Sequence, residues 1–476
     1  LELGILSVYI KSERERYGYY YLTILCGLLI IISLLIFLKF GFQGALVLSL
    51  LIMVAAITPL LINRFRFYLF IWLFISPAFD NFREILIAGA NPVVLAVTGL
   101  SLPFAIILVI RNFKHVIYKF PFLGYLAIFN VVLFFNFIRP NADSGVLLEC
   151  LKIFFEIFII FCGYHEIQTG HANRLFNGIN LFIIINSLIA FGQRLTGFGM
   201  ITVENLPRVG GLVGHPNCLA FVNVLYFPFA IYKIMNETDS KNRKIWLAGL
   251  IISIAALILT LCKNVILTLL IQSGILLLFL PNKLKIQVLL SVIGIFTVVV
   301  ATDFLLHLQF IDQFLNRVNN NSSLVWRLKI WGYLLSSMDD ASMLVGHGVN
   351  AAKNLIGMIN SRNSSYAHNA YLQLLYDYGM TGLFLMMAFI HPFIKFFTLF
   401  LASPGRERLN KLFPMLIILA VFINMASDNS VFLRTPMVFA WLFLIYMYSV
   451  EVKPKKRIYN KAPISSAMQP EPLINT

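Results

Sequence analysis

The sequence predicts an all-α fold: a polytopic transmembrane helical bundle of roughly 12–14 spans, with a large extracytoplasmic loop that contains short helices. Two observations predict it. Of 476 residues, 59% are hydrophobic and 12% charged, and the mean hydropathy is +0.83, far from the balance of a soluble domain. The apolar residues also fall in continuous runs near the length that crosses about 30 Å of hydrocarbon, separated by short charged or Gly/Pro/Asn segments. A β-barrel would alternate apolar and polar positions instead.

In chain order the expected spans cover 19–38, 43–61, 66–80, 92–110, 120–138, 145–163, 174–192, 217–235, 245–261, 264–280, 286–302, 372–394, 412–427 and 431–449. The third is short enough to be re-entrant, and "CKN" barely separates the ninth from the tenth, which sets the range in the count. Residues 1–18, with "KSERERYG", are too charged for a cleavable signal peptide and read as a cytoplasmic N-terminal segment. The first part of the bundle then occupies 19–302, the large outer loop 303–371 and the second part 372–449. The basic tail, 450–476, lacks apolar periodicity and reads as disordered.

Orientation follows from the short basic loops. "NRFR", "RNFKHVIYK", "DSKNRK", "NKLK", "GRERLNK" and "KPKKR" fall on one side if both termini share it, and the positive-inside rule makes that side the cytoplasm. The net charge of +16 thus points to cytoplasmic loops and anionic headgroups rather than to nucleic acid. Cys26, Cys150, Cys162, Cys218 and Cys262 are scattered and show neither metal-site pairing nor a disulfide framework.

Two outer loops, about 193–216 and 303–371, carry Arg194, Arg208, Arg317, Arg327, Lys329, Lys353 and Arg362 where that rule disfavours them. Ordinary solvation accounts for Arg317, Lys353 and Arg362. Arg208 differs, because it precedes "VGGLVGHPN", whose glycines permit close backbone approach and whose His215, Pro216 and Asn217 introduce the next span. An Arg, backbone N–H groups and a helix start can together hold an anion; the plainer alternative is an interfacial loop capped by Asn217. Lys263, in "LTLCKN", lies so close to hydrocarbon that it must snorkel, pair or line a cavity. Arg327, in "WRLKIW", fits an amphipathic helix with Trp326 and Trp331 near the membrane interface.

Helical spacing sets Asn369, Gln373 and Asp377 at i, i+4 and i+8 along one polar stripe of "HNAYLQLLYDYG". Lipid does not tolerate such a stripe cheaply, so it is expected to face the bundle interior or a water-filled cavity, with His368 at its outer end. Gly379 and Gly382 allow close packing, and the "GHG" around His347 reads as an architectural turn. Glu156 and Lys152, at i,i+4, read as a structural ion pair. No HExxH, P-loop, G-x-S-x-G or dinucleotide fingerprint occurs, and the isolated "DD" at 339–340 is poor evidence of a metal site.

The order "RVGGLVGHPNCLA", "LTLCKN", "WRLKIW", "LVGHG" and "YAHNAYLQLLYDYGMTGL" resembles the O-antigen ligase and lipid-linked polysaccharide polymerase family, most strongly over about 190–395. The resemblance implies a bacterial inner-membrane glycosyltransferase, multi-pass, with its active site facing the periplasm. Its partners would be an undecaprenyl diphosphate-linked glycan as donor, lipid A-core or a growing glycan as acceptor, and the phospholipid membrane. It also implies an inverting, metal-independent reaction with no cofactor. His368 matches the acceptor-activating histidine, with Asn369 beside it to orient it or bind sugar. Arg208 and Arg327 match positions associated with the diphosphate or the active-site cavity, and His215, Asn217 and Asp377 are supporting. Lys263 stands where the family commonly has arginine; it keeps the charge and loses the planar fork suited to bidentate phosphate binding. Between ligase and polymerase the reading leans to the ligase. The alternative outside this class is a polysaccharide or ion-coupled transporter, which would call for a coupling site at the bilayer midplane.

Overall fold

The computed structural model describes residues 116, 119–137, 145–203, 206–281, isolated positions between 282 and 301, 322–359, 367–429 and 433–452. The expected spans at 19–38, 43–61, 66–80 and 92–110, most of 286–302, and both terminal segments lie outside the described residues.

Helices α1 (Phe122–Phe137), α2 (Gly145–Gln168) and α3 (Ala172–Thr196) are followed by a small antiparallel hairpin, β1 (Ile201–Val203) and β2 (Leu206–Arg208), with Ile201 opposite Arg208. A 3₁₀ turn at Gly211–Val213 leads into α4 (Pro216–Asn236), α5 (Ser240–Leu259) and α6 (Lys263–Phe279). Three short helices come next: α7 (Ser322–Ser336), α8 (Asp340–Val345) and α9 (Ala351–Ile359). Then come α10 (Ala370–Tyr378), a 3₁₀ turn at Gly379–Gly382, α11 (Leu383–Ala402), α12 (Gly405–Ser427) and α13 (Arg434–Glu451).

Among the described residues, five helical stretches are long and apolar enough to cross a membrane, and α1, α6 and α13 supply shorter apolar stretches. This largely helical architecture is that of a polytopic membrane bundle. The centre is α4, α12 and α13. Helix α4 starts with Pro216 at its first turn, where a missing N–H is no loss, and it is buried almost all round, as a helix apolar on every face must be when it runs inside a bundle. Helices α5, α12 and α13 pack around it, and α13 in turn packs on α2. Trp441 of α13 stacks on Phe122 and Phe389, with centroids at 5.7 and 4.2 Å, and its Nε1–H donates to Glu156 Oε2 at 3.0 Å. Glu156 is thus engaged by an indole from another helix; the Lys152 side chain expected beside it lies outside the described residues.

The two ends of the bundle carry different chemistry. Near the start of α12, Lys411 pairs with Glu451 at 2.5 Å, and the Tyr232 hydroxyl donates to the same carboxylate at 2.7 Å. Sixteen residues on, about 24 Å of helix rise away, α12 ends at Ser427 among the polar groups described below.

The expected continuous span at 372–394 is two helices meeting at a 3₁₀ turn. Gly379 has φ +59°, and a Cβ there would lie 2.6 Å from Gly346 N and 2.7 Å from Leu344 O. The backbone of α8 and its following turn is therefore seated directly on the end of α10, and the helix stops where that contact is made. His347 belongs to the same junction. Its N–H donates to Tyr376 O at 2.9 Å, its ring lies against Tyr376, and Gly348 N–H donates to Asp377 O at 2.9 Å.

Candidate functional site

The C-terminal end of α12 draws together segments far apart in the chain. Helix ends leave carbonyls unmet, and positive groups are favoured there. Ser427 O accepts from Arg327 Nη1 at 2.9 Å and from Asn264 Nδ2 at 3.4 Å, which brings α7 and α6 to this point. The next residue, Asp428, closes the helix and accepts from three sides. Asn217 Nδ2 donates to Oδ2 at 2.8 Å, the Asn429 N–H to Oδ1 at 2.8 Å, and His368 Nδ1 faces Oδ1 at 3.3 Å. Burial alone would push the Asp428 carboxyl up, but the His368 imidazole, the Asn429 N–H and the Asn217 amide outweigh it and hold the carboxyl below its ordinary value.

Asn217 extends the network inward. Its Oδ1 accepts from Arg208 Nη2 at 2.9 Å, while Arg208 Nε donates to Thr260 O at 2.7 Å, at the end of α5. Arg208 is 1% exposed, so the guanidinium is held in the protein by a carbonyl and an amide. One hydrogen-bonded path therefore runs Thr260, Arg208, Asn217, Asp428, His368. At its outer end the His368 and Asp428 side chains are 24% and 18% exposed.

His368 is presented by its backbone. It has φ +50°, in the left-handed region that residues other than glycine seldom occupy, at about 1–2 kcal/mol. Both neighbours hold it there. Trp331 Nε1–H donates to Ala367 O at 2.8 Å, and Asn369 caps α10 by accepting from Leu372 N at 3.1 Å. Trp326 lies edge-on to the imidazole, with centroids 5.8 Å apart. The two tryptophans expected at a membrane interface thus face the protein, and they frame the histidine.

The sequence-expected residues divide into two groups. Arg208, Asn217, Arg327 and His368 converge on Ser427–Asp428, and Lys263 stands at the start of α6 beside Asn264, a position where a cation opposes the helix dipole. His215 acts one step back, as N-cap of α4, its Nδ1 accepting from Asn217 N at 3.2 Å. Asn369 serves as a helix cap, and the side chain that meets His368 Nδ1 is Asp428. Asp377 is buried at the far end of α10, where its Oδ1 accepts from Ala352 N at 2.7 Å and caps α9 from outside.

The glycine loop also differs from an open anion cradle. The N–H groups of Gly210 and Gly211 donate to Gln193 Oε1 at 3.1 and 2.9 Å, and Leu212 N–H donates to Asn186 Oδ1 at 2.7 Å. At Gly211, with φ +58°, any Cβ would collide with Asn186, so the glycine lets α3 supply these acceptors. Among the described residues, no group of three or more His, Cys, Asp or Glu side chains is placed to hold a metal ion.

The residue that sequence reasoning missed is Asp428. "SDNS" looks like a bare turn between two apolar runs. The available signal was topological: the turn falls on the same expected side as Arg208 and His368, and Asp428 is its one carboxylate.

A carboxylate accepting from one nitrogen of a partly exposed imidazole, with cations gathered behind it, is equipped to move a proton beside a stabilised anion. Comparison with known families agrees with the class expected. The model of the O-antigen ligase family (Wzy_C) matches residues 248–387, so a domain of that family covers part of the chain. The matched segment contains Lys263, Arg327, His368, Asn369 and Asp377, whereas Arg208, His215, Asn217 and Asp428 lie outside it. No curated protein matches the chain.

Proposed function

We propose that this protein transfers a glycan from undecaprenyl diphosphate to an acceptor hydroxyl on the extracytoplasmic side of a bacterial inner membrane, as an O-antigen ligase acting on lipid A-core. The observation that carries the reading is the His368–Asp428 contact, 3.3 Å from Nδ1 to Oδ1, with its histidine inside the segment that matches the O-antigen ligase family.

With the Nδ1 proton donated to Asp428, the lone pair of the neutral ring is on Nε2. Nε2 takes the proton of the acceptor hydroxyl as its oxygen attacks the anomeric carbon. The new C–O bond forms as the bond from that carbon to the diphosphate oxygen breaks, and undecaprenyl diphosphate leaves with the electron pair. The imidazolium so formed is stabilised by the Asp428 carboxylate. Attack opposite the leaving group inverts the anomeric centre. The leaving diphosphate is already a good leaving group, so the protein's task is to neutralise its charge. Arg327, held beside Asp428 through Ser427 O, and Lys263, at the start of α6, are the cations offered for that role, and Arg208 supports the same path from within.

The test is transfer by the purified protein from undecaprenyl diphosphate glycan, with lipid A-core and a second lipid-linked unit offered as separate acceptors. Product on lipid A-core supports the ligase, and a ladder on the carrier lipid identifies a polymerase instead. His368→Ala is expected to lower turnover by about 10²–10⁴-fold, the usual contribution of a positioned base. Arg208→Ala is expected to weaken donor use as well. Wild-type turnover in both variants rejects the site.

A further inference from the structure

Helix α8 turns its apolar side chains away from the protein. Its start is fixed by a reciprocal cap, in which Asp339 Oδ1 accepts from Ser342 N at 2.7 Å and Ser342 Oγ accepts from Asp339 N at 2.8 Å. Its end is seated by backbone, with Leu344 O and Gly346 N against Gly379. Met343, Leu344 and Val345 are left outside these contacts, 45%, 63% and 52% exposed. Three consecutive large apolar side chains standing free in water are an association hazard, and a fold keeps such a run where something apolar covers it.

Height in the bundle says what covers it. Helix α11 has 20 residues, a rise of about 30 Å, which is the thickness of the hydrocarbon. The charged turn with Arg406 and Arg408 follows its last residue closely, so that end lies at one face of the bilayer and Leu383 at the other. Leu383, Ile394, Phe397 and Leu401 are exposed along a single side of α11, the side a spanning helix turns to lipid. Met380, also exposed, stands between the top of that stripe and Gly379, the residue on which α8 is seated. The free side chains of α8 thus begin where the lipid-facing surface of α11 ends.

We infer that α8 is an interfacial helix, whose Met343, Leu344 and Val345 enter the acyl and headgroup boundary of the leaflet at the Ser427 end of α12. Asp339 and Asp340, at its capped start, stay among headgroups and water. The anchoring role that Trp326 and Trp331 do not fill, because they face His368, falls to this helix. The surface stands whether or not the protein transfers glycans. The test uses the full chain in vesicles of phosphatidylethanolamine and phosphatidylglycerol. Leu344→Cys, Met380→Cys and Asp340→Cys, each with the native cysteines replaced by alanine, carry a nitroxide that collides with oxygen in hydrocarbon or with a nickel chelate in water. Oxygen is expected to dominate severalfold at 344 and 380, and nickel at 340. Nickel dominating at 344 overturns the inference. So does a label at 344 shielded from both reagents, since protein, whether the rest of this chain or a second copy, then covers the face. On the unsubstituted protein in the same vesicles, a carbene reagent that partitions into the bilayer should label the peptide holding residues 343–345; an unlabelled peptide there likewise refutes it.

Discussion

Replacing Asp428 by asparagine tests the site at its junction. The carboxylate accepts at both oxygens, twice at Oδ1 and once at Oδ2. An amide of the same shape can keep its oxygen toward the two Oδ1 donors, but its N–H₂ then faces Asn217 Nδ2, donor against donor. Flipping Asn217 moves the conflict to Arg208, whose Nη2 needs the Asn217 oxygen. One mismatch remains in either arrangement, worth about 1–3 kcal/mol of stability. The catalytic effect is separate. Without a carboxylate the imidazolium formed on proton transfer loses its counter-charge, although the amide oxygen still accepts from Nδ1–H. A positioned base contributes about 10²–10⁴-fold. The 3.3 Å contact is longer than a tight ion pair and partly solvated, so a loss of about 10²–10³-fold in kcat, or about 3–4 kcal/mol, is expected for Asp428→Asn. Because Asp428 acts through His368, the double variant with His368→Ala should be no slower than His368→Ala alone. Single-turnover transfer from the lipid-linked donor, with melting temperature followed in parallel, measures both effects. Additive losses in the double variant, or wild-type kcat in Asp428→Asn, would falsify the assignment of Asp428 as the group that orients the base.

Two further outcomes follow from the same geometry. The depressed Asp428 carboxyl contributes stability above the unfolded value, about 3.9, and loses it only as pH falls through the lower folded value. The gap in melting temperature between wild type and Asp428→Asn should accordingly stay level from neutral pH down to about 4 and close below that; a gap already closing near pH 6 counts against it. Gly379→Ala places a Cβ in a left-handed position against the backbone of Gly346, so a loss of about 2–4 kcal/mol is expected. An unchanged thermal midpoint would show that the α8–α10 junction yields more easily than its geometry implies.

The sequence made some of this legible for identifiable reasons. Arg208, Asn217 and His368 stood out because polar groups at the mouths of apolar runs are conspicuous, and they do meet. Runs long enough to cross a bilayer announce themselves by composition, and α3 to α6, α12 and α13 lie close to where the hydropathy puts them. What was not legible depends on direction in space. Periodicity put Asp377 on the stripe with Asn369 but could not show that eight residues of helix carry it to a different neighbour, the start of α9. Nor could it show that Gln193 and Asn186 take the glycine-loop donors, or that Trp326 and Trp331 turn toward His368. Asp428 was hidden by brevity, since a turn of a few residues between two spans carries no pattern of its own.

The His368–Asp428 contact joins a residue inside the segment shared with the O-antigen ligase family to one beyond its end. Under the proposed reading the reacting pair is therefore not contained in the segment that similarity delimits. A chimera that imported only the matched segment from a relative would set a foreign histidine against this chain's own carboxylate and arginine. Its success would depend on whether α4 and α12 hold Asn217 and Asp428 where the newcomer expects them, which makes segment exchange a direct measure of how far the bundle, rather than the loop, determines the chemistry.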